Sequence, residues 1–166
     1  MVDKRDWPKP AAWAITQNEN LWRHFDAVAD RSTVVEWSLG DNYRTRMMDP
    51  GDRVVFWITG RNGGIARLGF VLAVAPSHRG YWKDAFGTRH KSSFFGQFFL
   101  PPFPNRRYIH RNALVEKAAM AECELFSPAS QSTAPLRLER KEWAVIEREL
   151  VRFDLTNRDF RAPWPD

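Results

Sequence analysis

Residues 49–76 constrain the fold of this chain more than any other stretch. Asp49-Pro50-Gly51-Asp52 is turn chemistry, because Pro pre-sets one backbone angle and Gly admits conformations closed to other residues. Arg53 to Thr59 then alternates, with Val55 and Trp57 opposed to Val54, Phe56 and Ile58, the two-residue period of a strand. Gly60-Arg61-Asn62-Gly63-Gly64 follows, where Asn-Gly is expected to supply positive φ, so Ile65 to Val74 returns as the hairpin partner until Ala75-Pro76 ends it. A hairpin of this length needs further strands or helices to cover it.

Those further elements are legible on both sides. Trp13-Ala14-Ile15-Thr16 reads as a short first strand with Trp13 and Ile15 on one face. Asn20 is placed to cap a helix over about 21–30, in which Leu21, Phe25 and Val28 share a face. Ser32 to Ser38 is short, β-branched and extended. Trp37-Ser38-Leu39-Gly40-Asp41-Asn42-Tyr43-Arg44-Thr45-Arg46 reads as an indole carried on a polar, glycine-containing loop. His78 to Ser92 lacks periodicity and is expected to be a long mobile loop. Ser93 to Leu100 is an aromatic strand stopped by Pro101-Pro102-Phe103-Pro104, and Tyr108-Ile109 leads to a short helix near 112–121. After a flexible link over 127–135, the spacing of Trp143, Ile146 and Leu150 predicts a helix from about Arg140 to Arg152. At 166 residues the chain is expected to form one α+β domain, a strongly curved antiparallel or mixed sheet with a few flanking helices.

Composition bears on partners. The chain has 8 Trp and 12 Phe but 3 Tyr, and its net charge is +5. Surplus aromatic faces with an arginine-rich basic balance are the footprint of nucleic-acid binding, since the guanidinium fork matches phosphate. A soluble basic protein without such a partner is the competing reading. The single Cys123 excludes an intramolecular disulfide and a cysteine-based zinc cluster, and reads as an inert core thiol. No apolar run is long enough to span a bilayer and the N-terminus does not resemble a signal peptide, so a cytoplasmic location without membrane contact is expected.

Catalytic chemistry is poorly supported. His24, His78, His90 and His110 are scattered, with no metal-ligand spacing. There is no Gly-x-Ser-x-Gly, and the 60–64 glycine loop lacks the Gly-Lys-Ser/Thr ending of a phosphate loop. Asp41, Asp49 and Asp52 are explained by turns and caps, so no metal or other cofactor is expected. Recognition fits better. An unstacked base needs an aromatic wall and polar groups at its edge, and Trp37, with Ser38 and Asn18 at the rim, offers both. Arg44, Arg46, Arg106 and Arg107 are the candidates for flanking phosphates. Trp57 and Trp143 sit in periodic patterns and are expected in the core.

Trp13-Ala14-Ile15, the Trp37…Asn42-Tyr43…Arg46 spacing, Gly51-Asp52-Arg53-Val54-Val55-Phe56-Trp57, Gly64-Ile65-Ala66 and Gly69-Phe70-Val71 together resemble the EVE domain. That family belongs to the PUA-like superfamily and is akin to the YTH readers of methylated adenosine. Arg140 to Ile146, with Glu142-Trp143, is similar to the closing helix of EVE proteins. The resemblance covers roughly Ala12 to Arg152 and rests on the order of short motifs. It implies a PUA-like pseudo-barrel of about six strands with surrounding helices, as one domain over 12–153, between a flexible arm at 1–11 and a tail at 154–166. It also implies a pocket for a modified base. Trp37-Ser38 matches the Trp-Ser pair that forms one cage wall and a polar contact in YTH readers, and Asn18 falls where those readers place a base-contacting Asn. Thr16, Gln17, Asn42 and Tyr43 become its support. The opposite wall falls to Phe98 or Phe95 of the aromatic strand, or to Trp82.

With the resemblance, which implies recognition of modified cytosine in DNA, the expectation is a non-enzymatic reader of 5-methyl- or 5-hydroxymethylcytosine in DNA, by base flipping into an aromatic cage. Modified RNA in the same pocket, a small nucleic-acid-processing enzyme using His78, His90 or Asp84, and an adaptor recruiting a separate nuclease are the alternatives.

Overall fold

The computed structural model describes residues 8–17, 32–77, 80–83, 87–91, 94–101, 109–128 and 134–152. The helix expected over 21–30 and the tail at 154–166 lie outside them. In chain order the elements are β1 (Ala12–Gln17), β2 (Thr33–Leu39), α1 (Tyr43–Met47), β3 (Arg53–Ile58), β4 (Gly64–Pro76), β5 (Tyr81–Lys83) and β6 (Arg89–Lys91). There follow β7 (Phe94–Leu100), β8 (Ile109–His110), α2 (Arg111–Val115), two 3-10 turns at Ala118–Met120 and Glu124–Phe126, β9 (Leu136–Leu138) and α3 (Arg140–Arg152).

Among the described residues, seven strands form one mixed sheet in the order β2-β7-β4-β3-β1-β9, with β8 pairing β4. The 49–76 hairpin sits at its centre as β3 and β4. Gly51 takes a φ of 90° in the Pro-Gly turn, as the sequence requires. The second turn closes differently from expectation. Positive φ falls on Gly60 (109°), not on Gly63. Gly63 is needed for close approach instead, since a Cβ there would lie 2.1 Å from the Ile58 carbonyl oxygen.

Alternation along the central strands divides the interior in two. Ala12 and Ala14 of β1, with Val55 and Trp57 of β3, pack against Leu114, Met120, Trp143, Ile146 and Leu150. Trp13 and Ile15, with Val54 and Phe56, pack on the other face against Leu39, Val71, Phe98 and Leu100. β4 is buried from Gly64 to Val71 because both its faces are covered, which is why its sequence shows no polar alternation. The second face is concave. Trp37 of β2 meets Phe56 of β3 edge-on at 5.7 Å although β7 and β4 lie between them in the sheet. Strands about 4.8 Å apart bring those rings together only if the sheet curls.

Three expectations change here. The 78–92 segment is not simply a loop: Tyr81–Lys83 and Arg89–Lys91 pair as a separate two-stranded ribbon. The polar stretch after Trp37 contains a short helix, capped by Asn42, whose Oδ1 accepts from the backbone N–H groups of Arg44 and Thr45. β9 was not expected, because Leu136-Arg137-Leu138 is too short to show a period. It pairs β1 and ties down residues 8–11, placed by the sequence in a flexible arm. Ala11 N–H donates to Leu138, and Arg137 Nη2 donates to the Pro8 carbonyl. The helix from Arg140 to Arg152 forms as expected, with Trp143, Ile146 and Leu150 buried.

Candidate functional site

Strand geometry decides which of the anticipated site residues can act together. Trp37 lies within β2, not on a loop, and pairs with Gly96 of β7. Its half-buried ring packs on the concave face with Val35, Phe94 and Met47. Ser38 is the next residue of the same strand, so it lies on the opposite face, paired with Phe95. Trp37-Ser38 therefore cannot supply a wall and a rim of one pocket. Phe98 shares the Trp37 face but is fully buried, with its ring edge-on to Phe56 at 5.5 Å, and serves as core rather than as a second wall. Phe95 is half-buried on the far face, away from the indole.

β1 sorts its residues by the same rule. Thr16 lies on the helix-covered face with Ala12 and Ala14, whereas Gln17 follows Trp13 and Ile15 onto the concave face. Gln17 is 5% exposed, and neither its amide nitrogen nor its amide oxygen has a hydrogen-bond partner. Leaving a buried amide unpaired costs about 1–3 kcal/mol per group. Asn18, Arg106 and Arg107 lie outside the described residues. Trp82 has a described backbone position, opposite His90 in the ribbon.

The concave face also holds a residue that the sequence counted only in the basic total. Arg67 pairs with Phe56 across β3 and β4, is 1% exposed, and donates from Nη2 to the Pro101 carbonyl at 2.9 Å. Its position two residues from Ile65 on an otherwise apolar strand was the available signal. Trp37, Phe56, Gln17 and Arg67 thus give this face an aromatic wall, an unpaired amide and a buried guanidinium.

The arginines of α1 divide into two kinds. Arg44 grips Glu124 with both terminal nitrogens, at 2.5 and 2.8 Å, and also donates to the Pro135 carbonyl and the Tyr43 hydroxyl. Glu124 in turn accepts from the Arg137 N–H. Desolvation raises the Glu124 pKa, but the Arg44 and Arg137 hydrogen bonds outweigh it and hold the carboxyl below its ordinary range. Arg44 is accordingly a tie between α1, the second 3-10 turn and β9, and its guanidinium is not presented to a phosphate. Tyr43 and Asn42 support that tie and the helix cap. Arg46 is 64% exposed, pairs with Asp41, and lies 5.7 Å from the Phe94 ring centroid. It remains placed to meet a ligand from solvent.

The aspartates of the Pro-Gly turn have structural partners. Asp52 accepts from the Trp13 indole and from the Asp49 N–H, and both acids pair with Lys9. No group of three metal-ligating side chains occurs among the described residues. Cys123 is buried, and burial pushes its thiol up to about 12, so it stays protonated and inert. Among the described residues, no helix is long and apolar enough to cross a membrane.

No protein-family model and no curated protein matches the chain. Solved structures do share its fold. A hypothetical protein from Leishmania major superposes with a TM-score of 0.62 at 15% identity, over 88% of this chain and 98% of its own. A Rhodopseudomonas palustris protein solved by NMR gives 0.58 at 16% identity, over 83% and 91%. A Pseudomonas putida protein gives 0.55 at 21% identity, over 83% and 98%. At these identities the likeness concerns the fold alone.

Proposed function

We propose that this protein is a non-enzymatic reader of modified nucleic acid, taking a flipped base, foremost 5-methyl- or 5-hydroxymethylcytosine in DNA, against Trp37 on the concave face of an EVE-like, PUA-like pseudo-barrel. The observation that carries this reading is Gln17. Its amide offers one donor and one acceptor side by side, buried and unpartnered, on the face that carries the indole. The Watson–Crick edge of cytosine offers the complement, an amino donor beside a ring-nitrogen acceptor, and a flipped base is read by edge hydrogen bonds and stacking together. Trp37 supplies the stacking, worth about 1–3 kcal/mol per base. The role given by resemblance to Ser38 passes to Gln17, because alternation puts Ser38 on the other face.

A binding panel of matched DNA and RNA oligonucleotides, plain and modified, tests this. Modified DNA is expected to bind ahead of its plain counterpart, and Trp37→Ala should lower that affinity on the order of tenfold or more. Equal binding of modified and plain strands, or an unaltered Trp37→Ala affinity, overturns the reading. Preference for modified RNA retains the pocket and changes the ligand, the 2′-hydroxyl being the discriminating group. Sustained product formation lost in His90→Ala would replace the reader with an enzyme.

A further inference from the structure

Between Pro76 at the end of β4 and Phe94 at the start of β7 the chain leaves the main sheet and returns. Joining two neighbouring antiparallel strands takes a few residues. Here the excursion builds the β5–β6 ribbon. Register sets Tyr81 opposite Lys91 and Lys83 opposite Arg89. Strand positions alternate between faces, so 81, 83, 89 and 91 fall on one face of the ribbon. Three of those four positions are cationic. Arg89 and Lys91 are exposed.

The ribbon is rooted at the Trp37 end of the sheet. Phe94 pairs with both Leu39 and Pro76, and Gly96, two residues on, pairs with Trp37. Arg46 approaches the Phe94 ring from α1. Exposed cations from two elements therefore border the end of the sheet that carries the indole.

The geometry points to the β5–β6 ribbon, with Arg46, as a clamp on the phosphate backbone of nucleic acid beside the concave face; the partner class rests on the function proposed above. A two-stranded ribbon fits a duplex groove about 12 Å wide, and Arg and Lys contacts to phosphate position the strand without reading its sequence. The clamp holds backbone; the concave face selects the base.

The experiment measures affinity for plain and modified DNA duplexes over a salt series, using the full chain and Arg89→Ala/Lys91→Ala. Both duplexes should weaken equally, and the slope of log K against log salt should shrink by about 2, on the order of tens of fold at about 0.1 M salt. Arg89→Lys/Lys91→Arg, which keeps both charges, should restore the slope. Unchanged affinity and slope in the alanine variant overturn the clamp. So does failure to bind plain duplex at low salt, or binding of phosphatidylserine vesicles in preference to duplex. A wild-type protein that binds both duplexes equally, but loses slope in the alanine variant, supports the clamp while overturning base reading.

Discussion

On the helix-covered face of the sheet, Val55, Trp57 and Ile65 meet Leu114, Met120 and Ile146 in a core assembled from apolar groups. Among the described residues, the indole N–H of Trp143 is an unpaired donor there, and its ring is covered by the Arg53 guanidinium at 5.3 Å. On the concave face, Trp13, Phe56, Phe98 and Leu100 are packed as tightly, but Gln17 and Arg67 are buried among the strands and Trp37 keeps part of its ring accessible. Both sides bury polar groups, but the buried carboxylates of the helical layer, Glu142 and Glu149, are met by the Glu139 N–H and by Lys117, whereas the Gln17 amide on the concave face is unpartnered. Buried polar groups left unmatched lower stability. The contrast separates what holds the protein together from what it offers to a partner.

The largest expected effect sharpens that separation. Trp57→Ala removes a fully buried ring from the helix-covered face and should cost about 3–5 kcal/mol in denaturant unfolding. Trp37→Ala removes a half-buried ring and should cost well under half as much, while it abolishes base preference. Equal losses for the two variants would mean that the concave face is an ordinary core. Gln17→Met is the next step down and has the opposite sign. It keeps the volume and deletes the unpaired amide, so it should raise stability by about 1–3 kcal/mol and weaken binding of the modified base. A destabilised Gln17→Met would show that the amide has a structural partner and would remove the observation on which the base-reading proposal stands.

How much of this was legible depends on periodicity. β3, β4 and α3 were read nearly to the residue, because a Pro-Gly turn, strict alternation and an i, i+3, i+7 stripe each mark one conformation. The division of β1 and β3 between two cores was readable for the same reason. Trp37 shows the limit. Ser-Leu-Gly-Asp-Asn after it suggested a loop, yet pairing with Gly96 and Phe95 carries β2 through Leu39, and that pairing is set by β7, about sixty positions away in sequence. Placing Trp37 on a strand put Ser38 on the wrong face. Arg44 was misread for a related reason: nothing local to Tyr43-Arg44-Thr45 announces Glu124. The ribbon escaped because a three-residue strand is shorter than the window in which alternation can be recognised. Short elements, long-range pairings and tertiary ion pairs leave no period in the sequence.

Arg44 and Arg46 bring the same comparison down to two residues of one short helix. Arg44, part-buried and bidentate to Glu124, joins three elements, so Arg44→Ala should cost about 2 kcal/mol, between exposed and fully buried pairs. Its effect is pH-dependent. Because the Glu124 pKa is lowered on folding, the ionised carboxylate stabilises the native state above the unfolded pKa, and that contribution is lost as pH falls from there through the folded value. The stability gap between wild type and Arg44→Ala should therefore narrow in unfolding curves collected from neutral to acid pH, leaving the share that Arg44 draws from the Pro135 carbonyl and the Tyr43 hydroxyl. Arg46, paired with Asp41 in solvent, has no such leverage. Arg46→Ala should change stability by less than about 1 kcal/mol at any pH, and should instead flatten the salt dependence of nucleic-acid binding by about 1. A large stability loss at Arg46 with unchanged binding would put both arginines on the structural side of the division.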